Sequence, residues 1–169
     1  MAILKIYQYP DPVLREETRA ITEFDEDFIK LTEDMAETMY DAPGIGLAAP
    51  QIGKALKLII VDISKKKEEA EQEYMVMANP KIVEHEGSQI DEEGCLSCPE
   101  ITAKVKRYKK VTVNYQDETG KEMSLTTEDR FAVVLQHEID HLTGILFIDH
   151  LSTLKRNLYK KKVKKWLVK

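Results

Sequence analysis

Between Phe24 and Tyr40 the apolar side chains fall at Phe24, Phe28, Leu31, Met35 and Met39, a spacing of three or four that puts them on one face of a helix. The Pro43-Gly44 pair ends the run, so the segment predicts a surface helix with one buried face. The period then changes. Leu58 to Ile63 is a short, nearly continuous apolar run, and Tyr74 to Val83, Ala103 to Tyr108, Val111 to Gln116 and Lys121 to Leu125 have the composition of strands. Glu118-Thr119-Gly120 predicts a turn between the last two, and the charged stretch Ser64 to Glu73 a solvated loop. Helical spacing returns at about Thr127, whose hydroxyl is suited to cap a helix, and continues to Gly144; a last helix is expected from about Ser152. One helix, a run of strands and two further helices, without internal repeats, predict an α+β fold. Its sheets should be mostly antiparallel and packed around the helix that ends at Gly144, rather than built from βαβ units.

Composition narrows the setting. A chain of 169 residues that is 43% hydrophobic and 33% charged fits one globular domain, spanning 1–169, with a core large enough to need no covalent staple. Two cysteines do not make a disulfide framework, and MAILKIYQYPDP at the N-terminus is neither a signal peptide nor a membrane span. A reducing, cytoplasmic setting is the expectation, with no membrane or DNA partner. The net charge of −5 conceals an asymmetry: eight of the 25 basic residues lie between Lys155 and Lys169, where there is no acid.

The candidate chemistry sits in QHEIDHLTG, Gln136 to Gly144. Imidazoles at i and i+4 lie one turn apart on one helix face, so His137 and His141 can reach one cation, with Glu138 beside the water it binds. A catalytic zinc or iron site takes three protein ligands and keeps a position open. The metzincin pattern fails, because the position three residues after Gly144 is Phe147 and His150 comes three residues later. A thermolysin-like glutamate fails too, since no Glu follows Leu142. The third ligand is expected upstream, from Cys95, Cys98 or His85. The C-x-x-C spacing in EEGCLSCPE allows a rival, a closed structural Cys₂His₂ zinc site, but the gap to His137 is far from finger spacings. If this run is extended, only one of the two sulfurs can face the histidines. A redox C-x-x-C would need a helix opening here, and Pro99 follows instead. Neither alternative uses Glu138.

A third segment, APGIGLAAPQIG from Ala42 to Gly53, is rich in small residues that let a ligand approach the backbone, and the amide of Gln51 is suited to donate to an oxyanion. GIGLAAPQ at Gly44 to Gln51, EGCLS at Glu93 to Ser97 and QHEIDHL at Gln136 to Leu142 resemble, in order and spacing, the three signature motifs of the peptide deformylases. PDPVLRE and GILFIDHLS extend the resemblance over nearly the whole chain. It implies the α+β fold of that family around a central metal-binding helix, in the branch with a C-terminal helix. The implied reaction is removal of the formyl group from the initiator N-formylmethionine of nascent polypeptides, with release of formate. Carried over by position, the metal ligands are Cys95, His137 and His141, the catalytic acid Glu138, and the oxyanion donors Gln51 and the Leu96 N–H. Ile45, Val133 and Val134 resemble the pocket for the methionine side chain, while Gly46 and Gly94 leave room for an extended peptide. Two positions depart from the family pattern: Cys98, and Arg130 on the pocket face of the helix.

The resemblance implies one divalent cation, Fe(II) in the cell, with nickel or cobalt as working substitutes; a Cys and two His also accept zinc. His85 is expected at an exposed strand end, and His150 to pack or cap after the helix. The C-terminal segment, about 152–169, has Leu154, Leu158, Val163, Trp166 and Leu167 at helical spacing. It predicts an amphipathic helix whose basic face suits rRNA phosphate or protein near the ribosomal exit tunnel, where such a substrate emerges.

Overall fold

The computed structural model describes residues 2–63 and 73–167. The stretch expected as a solvated loop, 64–73, falls outside them except for Glu73. Helix α1, Glu26–Asp41, begins where the Asp25 side chain accepts from the Phe28 N–H at 3.0 Å. Strand β1, Gly46–Ala48, follows the Pro43-Gly44 break and runs antiparallel to β2, Leu58–Val61. Next come β3, Met75–Glu86, β4, Gln89–Cys95, β5, Cys98–Arg107, β6, Lys110–Gln116, and β7, Glu122–Glu128. Helix α2, Asp129–His141, and helix α3, Thr153–Leu167, complete the chain.

Five strands form one antiparallel sheet in the order β1-β2-β3-β6-β7, and β4 and β5 form a separate two-stranded ribbon. Within the run read as Leu58 to Ile63, β2 is apolar at every position because both its faces are covered: Leu58 and Ile60 face the cluster under α1, Ile59 and Val61 the cluster under α2. On the α1 side Phe28, Met35 and Met39 meet Leu47 and Val76; on the other, Ala132, Val134 and Leu135 meet Met77, Val111 and Val113. Met35, Met39 and Leu135 are fully buried, and each such side chain contributes about 1.5–3 kcal/mol relative to exposure. α2 is thus held against the sheet on one face and against the ribbon on the other. A third apolar cluster joins Cys98 and Val105 of the ribbon to Leu146, Phe147, Ile148, Tyr159 and Val163.

Three sequence expectations change. The residues before Cys95 form a strand that the apolar pattern did not announce. Cys95 to Cys98 is not an extended run: Leu96 and Ser97 are a two-residue turn, and Cys95 and Cys98 are opposed partners across the ribbon. Thr127 does not cap α2, because it is still paired with Val111 in β7; the cap position is Glu128, whose side chain makes no capping bond. The turn at Glu118 to Gly120 is present, with Asp117 Oδ1 accepting from the N–H groups of Thr119 and Lys121.

Candidate active site

Gln136 fixes the position of α2. Its side-chain amide pairs with the backbone of Tyr108 as a neighbouring strand would, accepting from the Tyr108 N–H and donating to its carbonyl, both at 2.9 Å. This turns His137, Glu138 and His141 towards β1 and the β4–β5 turn. There the ligand atoms of Cys95, His137 and His141 converge, all within 4.8 Å of one another, and Cys95 Sγ lies 3.5 Å from His141 Nε2.

The tautomer of His137 is set by a carboxylate to which spacing alone assigns no role. Its Nδ1 lies 2.9 Å from Glu93 Oε1, and both Glu93 oxygens accept from Arg107, from Nη2 and Nε at 2.8 Å each. Burial alone would raise the Glu93 pKa, but Arg107 and His137 outweigh it and bring it down to about 2. An ionised Glu93 keeps the proton on Nδ1 and leaves Nε2 for a cation. Arg107 also donates to Asp140 at 2.6 Å, and His150 packs beside that carboxylate at 3.0 Å. Arg107 carries no local sequence signal; Glu93 lies inside a motif, two residues before Cys95.

The electrostatics favour a positive charge at the cluster. Burial disfavours a charged His137, yet hydrogen bonds to Cys95 and Glu93 and the nearby Glu138 charge raise its pKa well above the usual value. The Cys95 thiol is pushed up by its contact with Cys98 and by burial, against the pull of His141 and His137. A thiol and an imidazole that hold their protons, beside a second imidazole, are a donor set that a divalent cation binds by displacing protons, and a coordinating thiol loses its own outright. The residues therefore fit one borderline-soft metal ion.

Glu138 stands next to this point, buried, with Oε1 making no hydrogen bond. Burial, followed by the Glu93 and Asp140 charges, raises its pKa to about 7 against the pull of His137 and Arg107. Gly46 makes room for it: a Cβ there would lie 2.5 Å from Glu138 Oε2. Gln51 is also buried, and its amide orientation is determined, because Oε1 accepts from the Ala48 N–H at 3.0 Å. Nε2 accordingly points to Ser97 Oγ at 3.1 Å and to Cys95 Sγ at 3.6 Å. Ser97, fully buried, was not anticipated from sequence.

A cavity of about 600 Å³ opens over this floor. Ile45, Gly46, Leu96, Val133 and Val134 line it together with Gly94, so every residue named from sequence for substrate or oxyanion contact borders one space. β1, at the edge of the large sheet, and β4, in the ribbon, flank it. Arg130 lies at the rim, paired with Asp91 at 3.1 Å. Cys98 and His85 are not among the converging ligands: Cys98 is buried in the third cluster, and His85 stacks on Tyr108 at 3.9 Å at the exposed end of β3.

An α+β fold that brings one thiol and two imidazoles to a point, with a buried carboxylate beside it and a cavity above, defines a metal-dependent hydrolase. The chain belongs to the polypeptide deformylase family, whose model matches residues 3–157. These enzymes are metal-dependent hydrolases that remove the formyl group from nascent polypeptides, and that is the reaction of this chain. The peptide deformylase of Desulfotalea psychrophila is 74% identical over 168 residues, 99% of each chain. That of Syntrophobacter fumaroxidans is 50% identical over 167 residues, 99% of this chain and 97% of its own. Among solved structures, a peptide deformylase from Legionella pneumophila matches with a TM-score of 0.90 and 47% identity, over 98% of this chain and 95% of that one. The Synechococcus elongatus enzyme, in complex with actinonin, matches at 0.88 and 37%, over 95% and 88%.

Proposed function

We propose that deformylation in this chain is carried out by Glu138 at a divalent cation held by Cys95, His137 and His141, with Gln51 and the Leu96 N–H as oxyanion donors. The observation that carries this reading is the convergence of the three ligand atoms beside an unpartnered, buried carboxylate. When bound, the cation supplies Lewis acidity, acidifying the attacking water and polarising the formyl carbonyl. Glu138 takes the proton of that water and returns it to the leaving amine; a carboxyl whose pKa lies near neutrality is suited to both transfers. Gln51 Nε2, aimed by its Ala48 contact, donates to the oxygen on which charge develops, and losing one such donor typically costs ~3 kcal/mol. The initiator methionine side chain enters the cavity against Ile45, Val133 and Val134. Past the formyl group the peptide lies extended between β1 and β4, where Gly46 and Gly94 leave its backbone room to pair.

The physiological cation in this reading is Fe(II). Zinc binds a Cys and two His at least as firmly, and nickel or cobalt substitutes for activity. One catalytic unit spans 1–169, acting in the cytoplasm; among the described residues no helix is long and apolar enough to cross a membrane. The basic helix α3 is its contact with the ribosome. Formate release from a formyl-methionyl peptide, with metal analysis of the same sample, tests the assignment. Glu138→Gln should keep the metal and lose activity by about 10²–10⁴-fold, the usual range for a general acid–base residue. Cys95→Ala should lose the metal as well. Anaerobic iron loading should outperform zinc loading. Full activity in metal-loaded Glu138→Gln would overturn the role of Glu138, and equal rates with iron and zinc would remove the iron assignment.

A further inference from the structure

The cysteine that departs from the family pattern is placed against the one that matches it. Cys95 and Cys98 flank the two-residue turn of the ribbon as opposed partners, and the chain has no other cysteine. Opposed residues of an antiparallel pair stand about 4.5–5.5 Å apart at Cα with side chains on one face, within the 4.4–6.8 Å that a disulfide spans. Both border the substrate cavity, but their exposures differ: Cys95 is half-buried, whereas Cys98 is 1% exposed and packs into the apolar third cluster. A hydroperoxide can reach Cys95 through the cavity. Cys98 is open to attack on a neighbouring sulfur and closed to solvent.

We propose that Cys95 and Cys98 form an oxidation site, in which Cys95 reacts with a hydroperoxide and Cys98 resolves the product as a reversible disulfide. In the first step the Cys95 sulfur attacks the peroxide. An S–O bond forms, the O–O bond breaks, and the departing alkoxide or hydroxide takes the proton that the Cys95 thiol gives up, or one from water where the sulfur starts as a thiolate, leaving a sulfenic acid on Cys95. In the second, the Cys98 sulfur attacks that sulfur: an S–S bond forms, the S–O bond breaks, and the hydroxyl leaves as water with the Cys98 proton. The two sulfurs together give two electrons to the peroxide, which becomes an alcohol or water plus a second water. Without a resolving thiol, sulfenic acid proceeds to sulfinic and sulfonic acids, which a thiol reductant does not reverse. Cys98 protects the site in this way while releasing the cation, since a disulfide sulfur is no longer a thiolate ligand.

The metal-release arm rests on the assignment of Cys95 as a ligand; disulfide formation does not. The test uses the nickel-loaded enzyme treated with hydrogen peroxide, so that oxidation of iron plays no part. Intact mass, thiol titration, metal retention and activity are followed before and after dithiothreitol. The wild type should go from two titratable thiols to none, lose two hydrogens in mass, release nickel, and recover fully on reduction and reloading. Cys98→Ser should be active before treatment, then gain oxygen atoms on Cys95 and fail to recover. Retention of both thiols at doses that inactivate the enzyme, or equally irreversible oxidation of wild type and Cys98→Ser, would overturn the proposal. A disulfide that forms while nickel stays bound would leave the oxidation site standing and remove Cys95 from the ligand set.

Discussion

Gly46 and Glu138 occupy one space from opposite sides, and that close fit sets where the carboxylate stands. A Cβ on residue 46 would come within 2.5 Å of Glu138 Oε2 and 2.9 Å of its Cγ, so Gly46→Ala must displace the carboxylate, the strand or both. Displacing a catalytic group by about 1 Å can cost about a hundredfold in rate. Deformylation by Gly46→Ala should therefore fall by about that factor while metal content stays at one per chain; an unchanged rate would mean that β1 does not position Glu138. Glu93 acts on the cluster differently, through the His137 Nδ1 proton and the Arg107 charge. Glu93→Gln should weaken metal affinity by about 10–100-fold in a chelator competition, as removal of an outer carboxylate commonly does. It also removes one of the two carboxylates that pair with Arg107 and should lower unfolding stability, whereas unaltered chelator resistance would show that Glu93 serves the fold alone. His137, Glu138 and His141 were legible because a helix repeats every turn, which makes their shared face a property of spacing. The Glu93–Arg107 pair was not, because it depends on the register of a hairpin, and register is written in contacts rather than in neighbouring residues.

At the scale of elements, the hydrophobic pattern found those strands whose inward face is apolar and missed the one whose inward face is charged. β4 alternates in burial as a strand should, but its inward positions are Gln89, Asp91, Glu93 and Cys95, and its one large aliphatic, Ile90, is 67% exposed. A strand that lines a polar site inverts the usual signal. Thr127 failed as a cap for a related reason: β7 continues three residues past Leu125, where its apolar content ends. The turn after α2 shows an ion pair set beside apolar packing, since Leu14 shares one buried cluster with Leu146, Phe147 and Ile148. Arg15, in the short 3₁₀ turn Pro12–Arg15, donates to Gly144 O at 2.6 Å and grips both oxygens of Asp149, one of them at 3.0 Å. Asp149 in turn accepts from the Leu146 N–H at 2.9 Å. Burial would raise the Asp149 pKa, but Arg15 and the Leu146 N–H outweigh it and lower it. Since the folded-state value lies below the unfolded one, the unfolded chain binds the extra proton first, and stability rises with pH between the two. The contribution is complete above the usual carboxyl range of about 4 and is lost as pH falls through the depressed folded value. Both partners are partly exposed, so it is about 1 kcal/mol at most. Asp149→Asn should therefore lower the melting temperature by a few degrees at neutral pH, with the gap to wild type closing in acid; a gap independent of pH would assign the effect to packing instead.

The whole molecule is electrostatically divided, with an acidic body and a helix, α3, that carries seven of the eight basic residues between Lys155 and Lys169. Helical spacing puts Leu154, Leu158, Val163, Trp166 and Leu167 on one packing face, and the structure splits them. Tyr159 and Val163 are buried against the ribbon, with Trp166 half-buried beside them, and the Tyr159 hydroxyl donates to Pro99 O at 2.9 Å. Leu154 and Leu158, 69% and 57% exposed, lie on the outer face beside Lys160, Lys161 and Lys164. Spacing alone could not separate the two faces, because both carry an apolar residue every third or fourth position, and only the ribbon beneath the helix decides which one is covered. Lys162 is exposed too but is engaged with the body of the protein: its ammonium reaches Glu100 O at 3.3 Å and sits 5.5 Å from the Trp166 ring. The proposed ribosome contact therefore falls to Lys160, Lys161, Lys164 and Lys165, which are exposed. Binding of lysines to rRNA phosphate releases condensed counterions, so affinity should fall steeply as salt rises, with a log–log slope that shrinks by roughly 0.7–0.9 for each phosphate contact removed. Changing these four lysines to Glu, with Lys162 kept, should abolish co-sedimentation with ribosomes at low salt. The melting temperature and the hydrolysis of a short formyl-methionyl peptide should stay near wild type, since none of the four borders the catalytic cavity. Co-sedimentation that survives the substitutions with its salt dependence unchanged would mean that the basic face only solvates the helix, and would leave the exposed Leu154 and Leu158 as the surface to test next.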